Sequence, residues 1–198
     1  MKGSLGNAVM STAGSGKRIA KSGSRASYWA NNPEVIAALK DGPDKVIVSL
    51  NGNGTQGTDE LLKTFAKYLP KEVPLVWTGA PPPKQLSPSS ESWANYLKTP
   101  SGFAKAYESR NARNEQVASK ISSFKSEGFD WTFVNPYDHM KLSEPKQVAG
   151  TTISSGYTCS NCDGIHLPSS AAKDYVSEIS GIVAVSYTHL RAHETLVH

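Results

Sequence analysis

The sequence predicts one α/β domain built on a parallel sheet. Short apolar runs rich in β-branched residues alternate with longer segments whose apolar residues recur at helical spacing, the pattern of βαβ units. The length of 198 residues suits a single domain with its own hydrophobic core. We therefore expect residues 1–184 to form one domain.

Continuous apolar runs mark the predicted strands, as in sheets that are buried on both faces. They occupy residues 45–50, 73–77 and 131–134. Amphipathic spacing predicts helices over residues 33–40, 58–69, 103–126 and 169–183. Residues 79–102 form a Pro- and Ser-rich excursion that contains Trp93 and Tyr96. A loop of that length in a compact domain is typical of one that lines a site.

Composition limits the classes of function. The formal charge is +4, and the Lys and Arg residues are scattered among acidic residues without forming a basic block. This distribution argues against a nucleic-acid partner. No apolar run is long enough to span a membrane, and no secretory signal is expected in this sequence, so the compartment stays open. Cys159 and Cys162 make a single Cys-x-x-Cys pair, which is too few ligands for a structural zinc site. We expect either two thiols or a local disulfide that braces a loop, and we expect no metal.

Asp163 and His166 are the candidate acid and base. They lie three residues apart on a predicted turn ahead of a helix, which favours an imidazole base with an orienting carboxylate. His139, next to Asp138, is the rival base. Adjacent residues tend to point apart in an extended chain, so that pair is less suited to the role.

A glycine-rich motif follows the first predicted strand, with Gly52, Gly54 and Gly57 in the spacing Gly-x-Gly-x-x-Gly. It has three interpretations. The dinucleotide fingerprint also needs an acid at the end of the next strand, and none stands near Thr78. The glycines could instead form a tight loop with positive φ angles. In the third interpretation they present Asn53 as a hydrogen-bond donor for an oxyanion.

Four short blocks occur along the chain in a familiar order. They hold Ser4 in Ser-Leu-Gly, Gly23 in Lys-Ser-Gly-Ser, Asn53 in Asn-Gly-Asn-Gly, and Asp163 with His166 in Asp-Gly-Ile-His-Leu. In order and rough spacing they resemble the four blocks of the SGNH/GDSL hydrolases, which are serine esterases. The resemblance covers most of the chain, and the last block is the most specific part of it.

The resemblance implies a flavodoxin-like three-layer α/β/α sandwich with a central parallel sheet. It implies Ser4 as the nucleophile, His166 as the base and Asp163 as its support. Ser4, Gly23 and Asn53 would form the oxyanion hole. No cofactor is implied, and the substrate would be a small acyl ester of a small molecule or a carbohydrate. The Gly-, Pro- and Trp-bearing excursion at 79–102 suits a carbohydrate ester, such as an acetylated polysaccharide, although the family also includes lipases and thioesterases.

The sequence also departs from that family. Lys2 and Gly3 precede Ser4 where the family has Gly-Asp, no strand-like run lies ahead of Ser4, and no aspartate follows Asn53. These departures favour an alternative, an SGNH-like module that has lost catalysis and binds glycans. A nucleotide-binding α/β enzyme is the third interpretation. The oligomeric state is left open, and Trp93, Tyr96 and Trp131 are assigned no role, because such residues more often pack in a core.

Residues 185–198 break the periodicity of the chain and hold three of its five histidines. They resemble a translated sequencing-adapter peptide, so we exclude them from the functional interpretation. Of the histidines, only His139 and His166 then remain as candidate bases.

Overall fold

The computed structural model describes most of the predicted domain. The described residues are 8, 16–21, 23–50, 52–140, 146–153 and 163–184. The predictions for Ser4, for Cys159 and Cys162, and for residues 185–198 therefore fall outside the described residues.

A parallel sheet of three strands forms the centre of the fold. The strands are β1 (Val46–Ser49), β2 (Leu75–Thr78) and β3 (Trp131–Val134), in the order β1-β2-β3. Ser49, Thr78 and Val134 are in register at the carboxyl edge of the sheet. The predicted α/β fold with a parallel sheet is confirmed.

Helices connect and flank these strands. They are α1 (Ala26–Trp29), α2 (Pro33–Lys40), α3 (Thr58–Tyr68), α4 (Pro100–Ser126), α5 (Pro136–His139), α6 (Ser169–Glu178) and α7 (Ser180–Ala184). A short 3₁₀ turn, Asn95–Lys98, precedes α4. Since α3 joins β1 to β2 and α4 joins β2 to β3, the chain contains two βαβ crossovers.

Two details differ from the sequence prediction. The last helix is not continuous, because the turn at Ile179 separates α6 from α7. A small antiparallel hairpin, β4 (Lys146–Val148) with β5 (Thr151–Ile153), was not predicted. Its tight turn has positive φ at both Ala149 and Gly150.

Apolar side chains of β2 point alternately to the two faces of the sheet. Leu75 and Trp77 belong to one buried cluster, together with side chains of α3 and α4. Val76 belongs to another, together with Tyr175 of α6 and with Ile179. Each face of the sheet is therefore covered by apolar packing.

A third cluster lies beneath the excursion that follows β2. Leu86, Leu97, Phe103 and Ile153 are buried there, so the excursion is anchored between the start of α4 and β5. Trp131, which the sequence left without a role, is fully buried in the core. Among the described residues, no helix is both long and apolar enough to cross a bilayer.

Candidate functional site

Asp163 and His166 form a hydrogen-bonded pair on one turn. Asp163 Oδ2 lies 2.6 Å from His166 Nδ1. Asp163 Oδ1 accepts the backbone N–H groups of Ile165 and His166, each at 2.9 Å, and Gly164, which directly follows Asp163, has a φ of +77°. One carboxylate oxygen thus forms the turn while the other fixes the imidazole. Because Nδ1 faces the carboxylate, Nε2 is the ring nitrogen left to take a proton.

Exposure and charge suit this pair to proton transfer. The His166 side chain is 66% exposed, whereas that of Asp163 is 19% exposed. Burial raises the pKa of Asp163, but hydrogen bonds from the His166 N–H and ring and from the Ile165 N–H outweigh burial, so its pKa lies below the usual value. Asp163 therefore stays a carboxylate at neutral pH and holds the imidazole in one tautomer.

The excursion after β2 holds this turn through its backbone. The N–H of Lys84 donates to the carbonyl of Gly164 at 2.9 Å, and Ser92 Oγ donates to the carbonyl of Asp163 at 2.8 Å. Leu97 packs so closely that a Cβ on Gly164 would lie 2.8 Å from its Cδ1. The turn therefore rests on a segment that begins at the carboxyl end of β2.

Arg110 joins the same turn to helix α4. It is only 5% exposed, and its Nη1 donates to the carbonyls of Pro81 at 3.0 Å and Ile165 at 3.3 Å. A buried guanidinium is stable only when its N–H groups are hydrogen-bonded. The bonds from Arg110 therefore hold the carbonyls of Pro81 and Ile165 in position. Arg110 is accordingly a positioning residue for the turn.

Asn114, one helical turn further along α4, fixes the start of the excursion. It is fully buried, accepts the N–H of Ala80 at 2.9 Å and donates to the carbonyl of Ala80 at 2.9 Å. Its Nδ2 also donates to Asn135 Oδ1 at 3.0 Å, just after β3. A Cβ on Gly79 would lie 2.6 Å from Asn114 Cγ, so only glycine permits this close approach. The carboxyl ends of β2 and β3 are thereby linked through one side chain.

The two predicted oxyanion donors that the structure describes lie in contacting loops. Asn53 Nδ2 donates to the carbonyl of Ser24 at 3.4 Å, and Ser24 directly follows Gly23, whose φ is +72°. A primary amide carries two N–H donors, so a second one remains on Asn53 beyond this contact. Asn53 is exposed, and it follows the carboxyl end of β1.

The glycine-rich motif forms a tight loop against the first helix. Gly54 and Gly57 have φ angles of +107° and +79°. A Cβ on Gly57 would lie 2.3 Å from the Cα of Ser27, and the Ser27 N–H donates to the carbonyl of Gln56 at 3.1 Å. Packing and backbone conformation account for Gly57, which favours the tight-loop interpretation of this motif.

The Asn53 loop and the Asp163–His166 turn are each connected to segments that leave the carboxyl edge of the sheet. Asn53 follows the end of β1, and the turn is bonded to residues that follow the end of β2. A direct bond between Asn53 and His166 is not among the hydrogen bonds of the described residues. Ser4, the predicted nucleophile, lies outside them.

His139, the rival base, follows β3 at the end of α5. It lines a cavity of about 390 Å³ between α4 and β3, and that cavity includes neither Asp163 nor His166. Within the described part of the chain, no hydrogen bond joins its ring to Asp138. The structure therefore gives His139 no orienting carboxylate like that of His166.

Three supporting residues were missed by sequence reasoning: Ser92, Arg110 and Asn114. A signal existed for two of them. Arg110 and Asn114 occupy core positions in the helical spacing that runs from Phe103 to Val117. A charged and an amide side chain on the buried face of a helix indicate buried polar contacts. For Ser92, one of several serines in the excursion, the sequence offers no such signal.

Comparisons with protein-family models, curated proteins and solved structures find no match to this chain. In the regions that the structure describes, no group of three or more His, Cys, Asp or Glu side chains is arranged to hold a metal ion.

Proposed function

We propose that this protein is a serine esterase of SGNH/GDSL type that hydrolyses a small acyl ester through an acyl-enzyme. The observation that carries the proposal is the Asp163–His166 pair, with 2.6 Å between carboxylate and imidazole. The parallel sheet with apolar packing on both faces supports a flavodoxin-like sandwich as its scaffold.

In this mechanism Ser4 Oγ attacks the ester carbonyl while His166 Nε2 accepts its proton. Asp163 stabilises the imidazolium that forms. The backbone N–H groups of Ser4 and Gly23 and the side-chain amide of Asn53 donate to the oxyanion. His166 then protonates the departing alcohol, and a water molecule activated by the same imidazole hydrolyses the acyl-enzyme.

A second function, glycan binding by an SGNH-like module without catalysis, is favoured by one observation. Trp93 is 69% exposed on the excursion that holds the candidate turn. A nucleotide-binding enzyme has less support, since the close packing of Gly57 on Ser27 accounts for that part of the glycine motif without a ligand.

Replacing His166 with alanine tests the proposal. The wild-type protein is expected to hydrolyse p-nitrophenyl acetate, and His166→Ala to lower kcat/KM by roughly 10³-fold or more, because the serine loses its base. His139→Ala is the matched histidine control and should keep wild-type activity. Hydrolysis is followed by p-nitrophenolate release.

Retained activity in His166→Ala would contradict the assignment of the base. The nucleophile is checked separately by reaction with a fluorophosphonate, which should label Ser4 in the wild-type protein and label it much more slowly in His166→Ala. Peptide mass spectrometry identifies the labelled residue. Polysaccharide binding without any ester hydrolysis would favour the second function.

A further inference from the structure

Two large aromatic side chains project into solvent from the excursion beside the candidate site. Trp93 is 69% exposed and Tyr96 is 46% exposed, whereas Ala94 and Leu97 beside them are fully buried. An exposed tryptophan contributes little to the core, and it is a side chain that binding surfaces use often. Among the large apolar side chains of the described residues, Trp93 is the most exposed.

The backbone that carries the two rings is fixed. The N–H of Ala94 donates to Ser92 Oγ at 3.2 Å, the N–H of Asn95 donates to the carbonyl of Trp93 at 2.9 Å, and the N–H of Leu97 donates to the carbonyl of Ala94 at 2.9 Å. Buried Ala94 and Leu97 anchor the same segment in the third apolar cluster. Because the backbone is already ordered, a ligand that covers these rings restricts only their side-chain torsions.

The position of Trp93 relative to the acid–base pair follows from one hydrogen bond. Ser92 Oγ donates to the carbonyl of Asp163 at 2.8 Å, and Trp93 is the next residue along the chain. Ordinary chain dimensions then place the backbone of Trp93 within roughly 10–15 Å of His166. A short oligosaccharide spans such a distance.

We infer that Trp93 and Tyr96 form a sugar-binding platform for a polysaccharide whose acyl ester reaches His166. The inference rests on the proposed function, because it supplies the alcohol part of that substrate. A pyranose with equatorial hydroxyls has flat faces of C–H groups that stack on an aromatic ring, while its hydroxyls bond to polar neighbours. Glu91 and Asn95, both exposed, supply such neighbours.

An acyl chain fits this surface less well than a sugar does. Acyl groups are bound in concave apolar pockets that remove most of the ligand from water. Here the rings stand in solvent with polar residues between and beside them. The surface therefore suits the polar, flat alcohol part of an ester better than a long acyl part.

The test compares polysaccharide esters with a small ester. On acetylated xylan and acetylated glucomannan, Trp93→Ala is expected to raise KM by roughly three- to tenfold with a smaller change in kcat, as the loss of one aromatic stacking contact predicts. The ratio of kcat/KM on the polysaccharide to that on p-nitrophenyl acetate should fall by the same factor. Trp93→Phe keeps a ring and should recover much of the loss.

Ile182→Ala is the control for removing an exposed apolar side chain, and it should leave the polysaccharide KM and the ratio of kcat/KM values unchanged. Circular dichroism and thermal unfolding check that Trp93→Ala is folded. The platform is overturned if Trp93→Ala leaves the polysaccharide KM unchanged, or if it weakens hydrolysis of p-nitrophenyl octanoate instead.

Binding of the deacetylated polysaccharides, measured by affinity electrophoresis, separates this inference from the proposed function. Binding that depends on Trp93 without any ester hydrolysis would support the platform and contradict the proposed esterase. Hydrolysis of p-nitrophenyl acetate without binding of either polysaccharide would support the proposed esterase and contradict the platform.

Discussion

The Asp163 carboxylate serves two structures at once, since one oxygen caps the turn and the other holds the imidazole. The spacing of Asp163 and His166 was enough to predict their pairing, because an aspartate that accepts N–H groups two and three residues ahead forms a local turn. The support from Arg110 could not be predicted in the same way. Its partners, Pro81 and Ile165, become neighbours only through the tertiary fold.

The lowered pKa of Asp163 predicts a pH-dependent contribution to stability. Since the folded-state pKa lies below the unfolded value, the contribution is present above about pH 4 and is lost as the pH falls through the folded-state pKa. The difference in unfolding free energy between wild type and Asp163→Asn should therefore be larger at about pH 7 than at about pH 3. Urea unfolding at the two pH values measures it.

Asp174→Asn is the matched control, because Asp174 is an exposed aspartate on α6. It should change the unfolding free energy little at either pH. An equal difference at both pH values for Asp163→Asn would show that the carboxylate charge contributes nothing to stability.

At the scale of elements, periodicity located the helices and strands well, while their interruptions depend on local geometry. The helix α2 and the strand β3 have the predicted bounds. The hairpin β4–β5 escaped prediction because its strands are three residues each and are mostly polar, which leaves no apolar run to recognise. The glycine motif was ambiguous for a similar reason, since one spacing serves both tight loops and phosphate-binding loops.

Comparing two glycines with similar backbone angles distinguishes the cost of backbone strain from the cost of steric crowding. Gly57 and Gly42 have φ angles of +79° and +70°, but only at Gly57 would a Cβ meet another residue within 4 Å. Gly42→Ala should cost about 1–2 kcal/mol of unfolding free energy through backbone strain alone. Gly57→Ala should cost at least about 1 kcal/mol more, because its methyl group overpacks against Ser27.

Urea unfolding followed by far-UV circular dichroism measures both glycine variants. Equal costs for the two would mean that the loop moves away from Ser27 without penalty. That result would remove the packing argument for Gly57 and return the motif to its other interpretations.

At the scale of the whole molecule, the sheet couples two apolar clusters that share no side chain. Trp77 lies on one face of β2 and Val76 on the other, and Ile179 packs with Val76. The alternation of the strand made this division predictable from sequence. The position of each helix was not, because several amphipathic segments could cover either face.

Replacing Ile179 with alanine tests whether the faces unfold together. The residue is fully buried, so the variant should lose about 2–4 kcal/mol of unfolding free energy. Tryptophan fluorescence, to which buried Trp29, Trp77 and Trp131 contribute, should shift its urea midpoint together with far-UV circular dichroism. Separate midpoints would contradict a single cooperative unit.

The bonds that hold the Asp163–His166 turn also determine when it can form during folding. Ser92 and Asp163 are 71 residues apart, and Arg110 and Ile165 are 55 residues apart. Closing such long loops costs chain entropy, which is recovered only once the intervening sheet and α4 are in place. We therefore expect the turn to dock against this support only after the sheet and α4 have formed.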